Sequence, residues 1–541
     1  MNTTIDRRTL LQSAVMGALA TMITRPLFAT ASLGTPLVET AAGQLQGTRV
    51  NGVNVFKGIQ YGAPTSGAAR FKAPRPAPPW SGVKHANAYG PAAPQGASML
   101  PATTQSSGVS LVGNGSTFSE DCLYLNVWSP GIDHSKRPVM VWLHGGGFSS
   151  GSGSSPLYDG ANLAREHDVV VLTINHRLNA FGHLDLSQIG GPEFADSSLA
   201  GMHDIVLALQ WVKQNIARFG GDPACVTIFG ESGGGRKVSV LMAMPAAQGL
   251  FHRAIVQSGS ALRMDTRDVG TERAEKFLAL LELQPTQIDR LLELPAEQLL
   301  SAGNKIAAVT GQFRPTTGVP SLPTHPFDPV APMMSASVPM MIGTNLTEAS
   351  FAMGRDPRVL ALDEKGVLER IWALLPPGEG PKVLEAYKRF YPELLPSDLL
   401  FRIATDRGYF LDSTLQAERK ARLQRAPAFL YSFNWAQPLT AGRTHVPHGS
   451  EIAFAFANTE LARGNDPAPL VTTMSAAWTS FARHGDPSTS ALKWPAYSVA
   501  KRPTMVFDES SRIENDTRGE QRKLMLRYGS QQYAPREIPQ L

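Results

Sequence analysis

The sequence reads VTIFGESGGGRKVSVLMAM from Val226 to Met244. An apolar, partly β-branched run leads into the letters GESGG at residues 230–234, and a helix-like run follows. A G-x-S-x-G motif between a strand and a helix holds its serine on a sharp, strained turn, where the hydroxyl is exposed for attack. The partial positive charge at the N-terminus of the following helix favours a developing oxyanion. The stretch therefore predicts that Ser232 is a nucleophile, with a plain Gly/Ser turn as the alternative.

A second glycine-rich segment, WLHGGGF at residues 142–148, lies upstream after another apolar run. Backbone N–H groups that stabilise an oxyanion must face the incoming oxygen without a Cβ in the way, and consecutive glycines after a strand meet that need. The segment therefore predicts an oxyanion hole, with a merely flexible loop as the alternative. His144 lies inside this loop and ahead of the nucleophile, so we expect it to shape the loop and not to act as the base.

Short apolar runs recur along the chain and alternate with longer segments of helical periodicity. The runs without polar alternation are residues 139–143, 169–174, 226–229, 254–256, 338–343 and 428–433. Such runs are typical of strands that are buried on both faces of a parallel sheet. Residues 204–216 carry apolar side chains at helical spacing, and residues 271–302 and 365–389 are also helix-rich. This alternation predicts an α/β fold with a large, mostly parallel central sheet and inserted helical regions.

The composition excludes several classes of protein. The chain has 541 residues, 43 % hydrophobic and 18 % charged, which is too apolar and too weakly charged for a largely disordered protein. Its two cysteines cannot form a disulfide scaffold or a cysteine-based zinc module. The formal net charge is +5 and no run of Lys and Arg suits a phosphate backbone, so we expect no nucleic-acid partner. No segment after the N-terminus is apolar for about 18 residues, so we expect no membrane span.

The first 31 residues have the features of an export signal. A pair of arginines precedes an apolar stretch at residues 14–23, and the sequence Ala-Thr-Ala ends at Ala31. A basic segment, a short apolar segment and small residues at a cleavage point define a signal peptide, and the paired arginines resemble a bacterial twin-arginine signal. We therefore expect residues 1–31 to be removed and the mature protein to be periplasmic or secreted. An N-terminus that stays attached is the alternative.

Several further motifs follow one another in a fixed order along the chain. They are FKGIQY at 56–61, SEDCLYLN at 119–126, HRL at 176–178, FGGDP at 219–223, QSG at 257–259, GDP at 485–487 and WP at 494–495. Together with the serine motif and the glycine loop, they resemble the type-B carboxylesterase family, the cholinesterase-like branch of the α/β-hydrolases. The resemblance covers about Leu37 to Phe507. It implies an α/β-hydrolase fold, residues 32–541 as the catalytic domain, and no cofactor or metal.

The resemblance also implies the remaining members of a catalytic triad. The letters IGTNLTE, which end at Glu348, resemble the family's G-x-N-x-x-E motif and make Glu348 the acid. The letters HVPHGSE, which begin at His445, resemble H-G-x-E and select His448 as the base over His445. The order Ser232, Glu348, His448 along the chain is the order that this fold uses. Glu451 is then expected to fix the loop that carries the base.

Other residues take their expected roles by position in the family's motifs. The N–H groups of Gly146, Gly147 and Gly233 are the implied oxyanion donors. Arg70 and Glu120 match an ion pair that is structural in the family. We therefore expect the three glycines to take part in the chemistry and the ion pair to contribute stability alone.

Three departures from the family pattern are informative. Gly233 replaces the alanine that most members carry after the nucleophile, so we expect a more flexible turn. Ala93 stands where the family has a cysteine, so we expect its usual partner Cys122 to be unpaired and Cys225 to be a buried thiol; a bridge between these two is the alternative. Arg236 replaces a small residue, and it either faces the pocket and favours acidic substrates or packs its stem on the helix flank.

The expected function is hydrolysis of a small-molecule ester through an acyl-enzyme on Ser232, with His448 as base and Glu348 as acid. The alternatives are a non-catalytic cholinesterase-like binding protein and a lipase or amidase of the same fold. A complete triad and two oxyanion segments favour the enzyme over a binding protein. No amphipathic lid is evident in the sequence, which favours a carboxylesterase over a lipase.

Overall fold

The computed structural model describes residues 35–96, 110–113, 115–438 and 442–533. The expected signal peptide at residues 1–31 lies outside them. The strands in this part of the chain are β1 (Leu37–Glu39), β2 (Gln44–Gln46), β3 (Thr48–Val50), β4 (Val53–Gln60), β5 (Val83–His85), β6 (Tyr124–Ser129), β7 (Arg137–Leu143), β8 (Val170–Ile174), β9 (Gly221–Glu231), β10 (Arg253–Gln257), β11 (Asp265–Thr266), β12 (Thr316–Thr317), β13 (Met340–Asn345), β14 (Ala428–Phe433), β15 (Gln437–Pro438), β16 (Thr444–His445), β17 (Pro503–Phe507) and β18 (Arg512–Asn515).

Helices fill most of the intervals between these strands. They are α1 (Ala161–His167), α2 (Asn179–His183), α3 (Ala200–Asn215), α4 (Gly233–Leu241), α5 (Arg267–Leu280), α6 (Asp289–Glu293), α7 (Ala296–Thr310), α8 (Ser350–Met353), α9 (Pro357–Leu360), α10 (Glu364–Ile371), α11 (Gly380–Phe390), α12 (Pro396–Thr405), α13 (Leu411–Arg422), α14 (Ile452–Ala455), α15 (Ala468–His484) and α16 (Gly519–Leu526). Across the described ranges, no helix combines the length and apolarity that crossing a bilayer requires.

One large sheet organises the molecule, with strands in the order β18-β17-β14-β13-β10-β9-β7-β8-β6-β4-β3. The strands from β17 to β8 are mutually parallel, and the strands outside them pair antiparallel with their neighbours. All six predicted apolar runs overlap parallel strands of this sheet, although the runs at 169–174 and 338–343 begin one and two residues before β8 and β13, and the predicted helix at residues 204–216 overlaps α3. The predicted α/β fold with a large, mostly parallel sheet is therefore confirmed.

The central strands are apolar on both faces because helices cover both sides of the sheet. Along β7, Val139, Val141 and Leu143 belong to one buried cluster, whereas Met140 and Trp142 belong to another. Successive side chains of a strand point to opposite faces, so these clusters lie on opposite sides of the sheet. Helices α3 and α4 contribute to the first cluster, and α1 and α15 to the second. Burial from both sides explains why these strands lack polar alternation.

The inserted helical regions have apolar clusters of their own. Helices α2 and α5–α7 share one cluster, and α8–α13 share another with α16. These regions contain the two helix-rich segments that the sequence predicts at residues 271–302 and 365–389. They add helices without interrupting the sheet, because each insertion leaves the sheet after one strand and returns before the next.

The parallel strands end at a common edge of the sheet, where the loops after β7, β9, β10, β13 and β14 begin. In the sheet, β7 has β8 on one side and β9 on the other, so the order of the strands reverses beside β7. In open α/β sheets, ligands bind outside the carboxyl ends of the strands at such a reversal. The glycine loop follows β7 and the serine motif follows β9, which places both segments at this point.

Candidate active site

The serine of the G-x-S-x-G motif lies on the turn between β9 and α4. Ser232 has φ 56° and ψ −118°, a backbone conformation that residues other than glycine rarely adopt. Its N–H donates to the carbonyl oxygen of Gln257, at the end of β10, over 2.8 Å. A Cβ at Gly230 would lie 2.6 Å from the carbonyl oxygen of Leu143, and a Cβ at Gly234 would also meet that oxygen. The motif's glycines are therefore required by close backbone contact, which holds the serine on its strained turn.

His448 and Glu348 meet at the same edge of the sheet. Glu348 follows β13, and His448 lies in the segment between β16 and α14. Nδ1 of His448 lies 2.6 Å from Oε2 of Glu348. Because a carboxylate only accepts hydrogen bonds, Nδ1 carries the proton and Nε2 is the nitrogen that can take a proton from a nucleophile. The other Glu348 oxygen accepts from the Ser258 hydroxyl at 2.6 Å and from the Asn345 N–H at 2.7 Å, which fixes the carboxylate.

Ser258 and Asn345 are supporting residues that lie within the QSG and G-x-N-x-x-E motifs, although the sequence alone assigns neither of them a role. The Asn345 amide also donates to the Pro447 carbonyl at 2.9 Å and to Glu451 at 2.7 Å, and Gln257 donates to the same Glu451 carboxylate at 3.2 Å. Glu451 thus connects the histidine loop to β10 and β13, as the resemblance implies. Ser258 follows β10 and Asn345 ends β13, so the signal that could identify them is a polar residue at the carboxyl end of a buried parallel strand.

Glu231 places a second carboxylate beside the imidazole. It is buried, and its Oε1 lies 3.1 Å from Nε2 of His448. Burial raises the pKa of Glu231, with Glu451 and Glu348 adding to this, whereas the positive charge of a protonated His448 opposes it and favours the carboxylate. Burial also disfavours a charged His448, but the negative charge around it, from Glu231 first, outweighs burial and raises the pKa of His448 well above its ordinary value. The residue at the variable position of the serine motif therefore tunes the proton affinity of the imidazole.

We expect Glu231→Gln to move the acid limb of the pH profile of kcat/KM to lower pH. A general base works only in its neutral form, and the negative charge of Glu231 raises the pKa of His448, so removing this charge lowers that pKa. The limb should shift by about one pH unit, the lower end of the effect of a charge at this distance. Profiles measured on one ester check this, with the exposed Glu166→Gln as the control. An acid limb that Glu231→Gln leaves in place would contradict it.

The glycine loop after β7 presents backbone donors to the serine turn. Gly146 and Gly147 have positive φ values of 81° and 64°, which glycine adopts without strain. Their N–H groups have no hydrogen-bond acceptor within the described ranges. Gly233 begins α4, so its N–H lacks a partner inside the helix. A Cβ at Gly233 would lie 2.5 Å from the backbone nitrogen of Gly147, so this close approach accounts for glycine at position 233 and brings the expected oxyanion donors together.

Two aromatic rings pack against the imidazole. The ring centroids of Phe351 and Tyr409 lie 5.8 Å and 5.3 Å from that of His448. Phe351 lies on α8, and Tyr409 lies in a π-helical turn, Asp406–Phe410, between α12 and α13. Such turns are rare and are frequent at functional sites. Both rings are half-buried, so they give the surroundings of the histidine an aromatic, partly accessible surface.

His445 has different surroundings from His448. It is buried, its Nε2 lies 3.6 Å from Oδ1 of Asp398, and its ring packs on Phe401 of the same helix, α12. The histidine that the structure joins to Glu348 is therefore His448, the one that the H-G-x-E pattern selects.

Arg70 and Glu120 form the expected ion pair. The Nε and Nη2 atoms of Arg70 each donate to one carboxylate oxygen of Glu120 over 2.7 Å. The remaining terminal nitrogen donates to the carbonyl oxygens of Leu291 and Leu294, which flank the end of α6. The pair therefore anchors an inserted helix and does not reach the serine.

Both cysteines are free thiols, so the alternative of a bridge between them is wrong. Cys122 is buried, and burial raises the pKa of its thiol. The prediction of a buried thiol at Cys225 is also wrong, since this residue is half-buried. Cys225 lies early in β9, where its sulfur is 3.3 Å from the Arg253 guanidinium and 3.4 Å from the Ala482 carbonyl. At this end of β9, the last turn of α15 and the Arg253 side chain cover the thiol only in part.

The chain is similar to known proteins in sequence and in structure. The sequence pattern of the carboxylesterase family matches residues 34–525. Para-nitrobenzyl esterase of Bacillus subtilis (strain 168) is 36 % identical over 503 residues, which are 91 % of this chain and 98 % of that protein. Phenmedipham hydrolase of Pseudarthrobacter oxydans is 31 % identical over 500 residues, 89 % of this chain and 97 % of that protein.

The fold agrees with a solved structure of the same family. The crystal structure of a Geobacillus stearothermophilus carboxylesterase matches with a TM-score of 0.78 and 36 % identity, covering 90 % of this chain and 99 % of that one. The match of the family pattern spans the sheet, the serine turn and the histidine loop. The chain therefore belongs to the carboxylesterase family and is a serine carboxylic-ester hydrolase with the α/β-hydrolase fold.

Proposed function

We propose that Ser232, His448 and Glu348 carry the ester hydrolysis as nucleophile, base and acid. The observation that carries this proposal is the 2.6 Å hydrogen bond between His448 and Glu348, at the edge of the sheet where Ser232 occupies its strained turn. Glu348 keeps the imidazole in the tautomer whose Nε2 accepts a proton, and it stabilises the imidazolium that forms.

In the first half of the reaction, the Ser232 oxygen attacks the carbonyl carbon of the ester while its proton passes to Nε2 of His448. The N–H groups of Gly146, Gly147 and Gly233 stabilise the negative oxygen of the tetrahedral intermediate. Collapse of this intermediate breaks the bond to the alcohol oxygen, and the alcohol leaves with the proton from the imidazolium. The acyl group stays on the serine.

In the second half, water takes the place of the alcohol. It gives a proton to His448 and attacks the acyl carbon, and the Ser232 oxygen then leaves with that proton. The product is a carboxylic acid formed near the buried carboxyl groups of Glu231 and Glu348. Ionisation of the product beside like charges favours its departure.

We propose that the preferred substrates are neutral esters with an aromatic or benzylic alcohol part. The leaving alcohol takes its proton from His448, so it must lie beside the two rings that pack on this residue, Phe351 and Tyr409. The name of one relative, para-nitrobenzyl esterase, points to the same kind of alcohol.

Fewer observations favour esters whose acyl group is acidic. Burial raises the pKa of Asp412, on α13, to about 6, and Arg236 is among the groups that oppose this rise. Arg236 is half-buried, and its influence on Asp412 favours a stem packed on the helix flank over a guanidinium that faces the pocket. The carboxyl groups around His448 would repel an anionic substrate.

A panel of acetates tests the substrate proposal. Benzyl acetate and 4-nitrobenzyl acetate should exceed cyclohexylmethyl acetate in kcat/KM by about tenfold, because the aromatic pairs add about 0.5–1.5 kcal/mol beyond the area buried. An ethyl ester of succinic acid, which carries a free carboxylate, should be the poorest substrate. Equal rates for benzyl and cyclohexylmethyl esters would contradict the aromatic preference. A preference for the succinate ester would favour the alternative in which Arg236 faces the pocket and selects acidic substrates.

We further propose that residues 1–31 direct export to the periplasm or outside the cell through a twin-arginine route. The paired arginines and the Ala-Thr-Ala sequence before residue 32 support this. In a bacterial host, the exported form should begin at Ser32, and replacing both arginines by lysine should leave the full-length chain in the cytoplasm. N-terminal sequencing of each cell fraction checks this, and export of the double-lysine variant would contradict the route.

A further inference from the structure

Lys237 is a buried lysine on α4, the helix that begins at the nucleophile turn, and the mechanism above gives it no part. Its side chain is fully buried, and its Nζ donates to the carbonyl oxygen of His144 over 3.0 Å. Within the part of the chain that the structure covers, no carboxylate forms an ion pair with it. Lysine is almost never fully buried unless it is paired, because an ammonium is costly to remove from water. Stability therefore does not explain why a lysine occupies position 237.

The groups that face Lys237 from other elements carry no negative charge. His144 follows β7, His176 follows β8 and His183 ends α2, and burial, followed by the charge of Lys237, lowers the pKa values of His144 and His176 well below the ordinary value. Burial also lowers the pKa of His183 to about 3. The rings of His144 and His176 stack with centroids 4.6 Å apart, and Nζ of Lys237 lies 5.7 Å from the ring of Phe148.

One further charge acts on this cluster. Arg177 contributes to the low pKa of His183, and its own charge is balanced by Asp204, with an N–O distance of 2.6 Å. The three imidazoles are therefore neutral near pH 7, and the ammonium of Lys237 faces neutral imidazoles, an aromatic ring and a carbonyl oxygen.

The hydrogen bond from Lys237 to the His144 carbonyl lies at the start of the glycine loop. Nδ1 of His144 lies 2.9 Å from the carbonyl oxygen of Gly145, and since a carbonyl only accepts, the ring nitrogen is the donor. At the other end of the loop, the N–H of Phe148 donates to Oε1 of Gln312 over 3.0 Å. Lys237 and Gln312 thus hold the two ends, while the N–H groups of the glycines between them stay available.

We propose that Lys237 is a positioning residue for ester hydrolysis, whose bond to the His144 carbonyl holds the glycine loop in the orientation in which Gly146 and Gly147 donate to the oxyanion. The inference rests on the proposed function of this loop. Glycines give the loop freedom as well as access, and oxyanion donors act only when they are fixed before the charge develops. A charge-assisted hydrogen bond at the base of the loop supplies that fixation.

Protonation of Lys237 links the stability of the fold to pH. Burial lowers the pKa of Lys237 to about 7. The same shift destabilises the fold: the folded pKa lies below the unfolded value of 10.5, so the cost is full below pH 7 and disappears as the pH rises toward 10.5.

Lys237→Met tests the proposal because it keeps the length of the side chain and removes the ammonium. We expect kcat to fall by about tenfold to a hundredfold with KM changed by less than about twofold, since the lost interaction serves the transition state. Affinity for an aryl trifluoromethyl ketone, whose serine adduct carries the oxyanion, should fall by the same factor. The Tm at pH 7 should rise, because the buried charge is gone.

Two further variants separate positioning from packing. Lys237→Gln keeps an N–H donor without the positive charge, so it should recover part of the kcat that Lys237→Met loses. Lys420→Met is the matched control. Lys420 is also buried, and it donates to the carbonyls of Ser335 and Ala336 at 2.7 Å and 2.8 Å. These carbonyls precede the start of β13, at the end of the strand opposite the active site. It should leave kcat unchanged.

Several results would overturn the inference. They are a Lys237→Met enzyme with the kcat of the wild type, a rise in KM alone, and a loss of kcat that Lys420→Met reproduces. If Lys237→Met does not fold, Lys237→Gln takes its place, and a Lys237→Gln enzyme that matches the wild type in both kcat and affinity for the trifluoromethyl ketone overturns the inference. A wild type that hydrolyses no ester would instead contradict the proposed function, so the two failures are distinguishable.

Discussion

Ser232→Ala should lower kcat for ester hydrolysis by about a thousandfold or more, because no acyl-enzyme can form without the serine oxygen. The oxyanion donors and the substrate contacts stay in place, so the residual rate should still exceed that of water, and KM should change little. Steady-state kinetics on a nitrophenyl ester measure both constants. The strained turn at φ 56° is kept in the variant, and circular dichroism should report an unchanged fold.

Ser239→Ala is the matched control for this experiment. Ser239 lies on the same helix, α4, and its hydroxyl donates to the carbonyl oxygen of Gly235 over 3.0 Å. It does not contact Glu348 or His448, so its loss should leave kcat unchanged. If Ser232→Ala kept more than about a tenth of the activity, Ser232 would not be the nucleophile.

His448→Ala should lower kcat by about a thousandfold or more, because the serine then has no group to take its proton. The variant also leaves the buried carboxyl groups of Glu348 and Glu231 without the imidazole that lies 2.6 Å and 3.1 Å from them. The Tm should therefore fall as well, since buried charges that lose their partner are destabilising. Kinetics at a temperature well below the Tm of the variant separate the two effects.

His445→Ala distinguishes this assignment from its nearest alternative. His445 is close in the sequence, but its ring faces Asp398 and Phe401 on α12. Its removal should lower the Tm and leave kcat within about threefold of the wild type, because no proton passes through it. If His445→Ala lowered kcat severely and His448→Ala lowered it only slightly, His445 and not His448 would be the base.

The fold and the placement of the nucleophile could be predicted because they depend on local sequence. Gly230 and Gly234 must lack side chains where β9 turns into α4, and this requirement leaves a pattern of adjacent letters. The strands are visible for a similar reason, since burial on both faces removes polar alternation within a few residues. The assignments of Glu348 and His448 needed the family resemblance, because the residues that join them are distant in the chain.

Other features of the site could not be predicted because they depend on contacts between distant segments. Glu231 occupies the variable position of the serine motif, and its importance follows from the 3.1 Å approach to His448. A lysine on a helix indicates a solvent-exposed face, yet Lys237 is buried because the loops after β7 and β8 and helix α2 cover it. Tyr409 reaches the imidazole through a π-helical turn, which leaves no pattern in the sequence.

The most direct test of the account is to find the acyl group in the enzyme during turnover. The protein is mixed with a nitrophenyl ester, quenched in acid within the burst of nitrophenol release, digested and analysed by mass spectrometry. The account predicts a burst of one nitrophenol per chain and an added acyl mass on Ser232, absent from Ser232→Ala. Ester turnover with the acyl mass on another residue, or with no acylated serine at all, would contradict it.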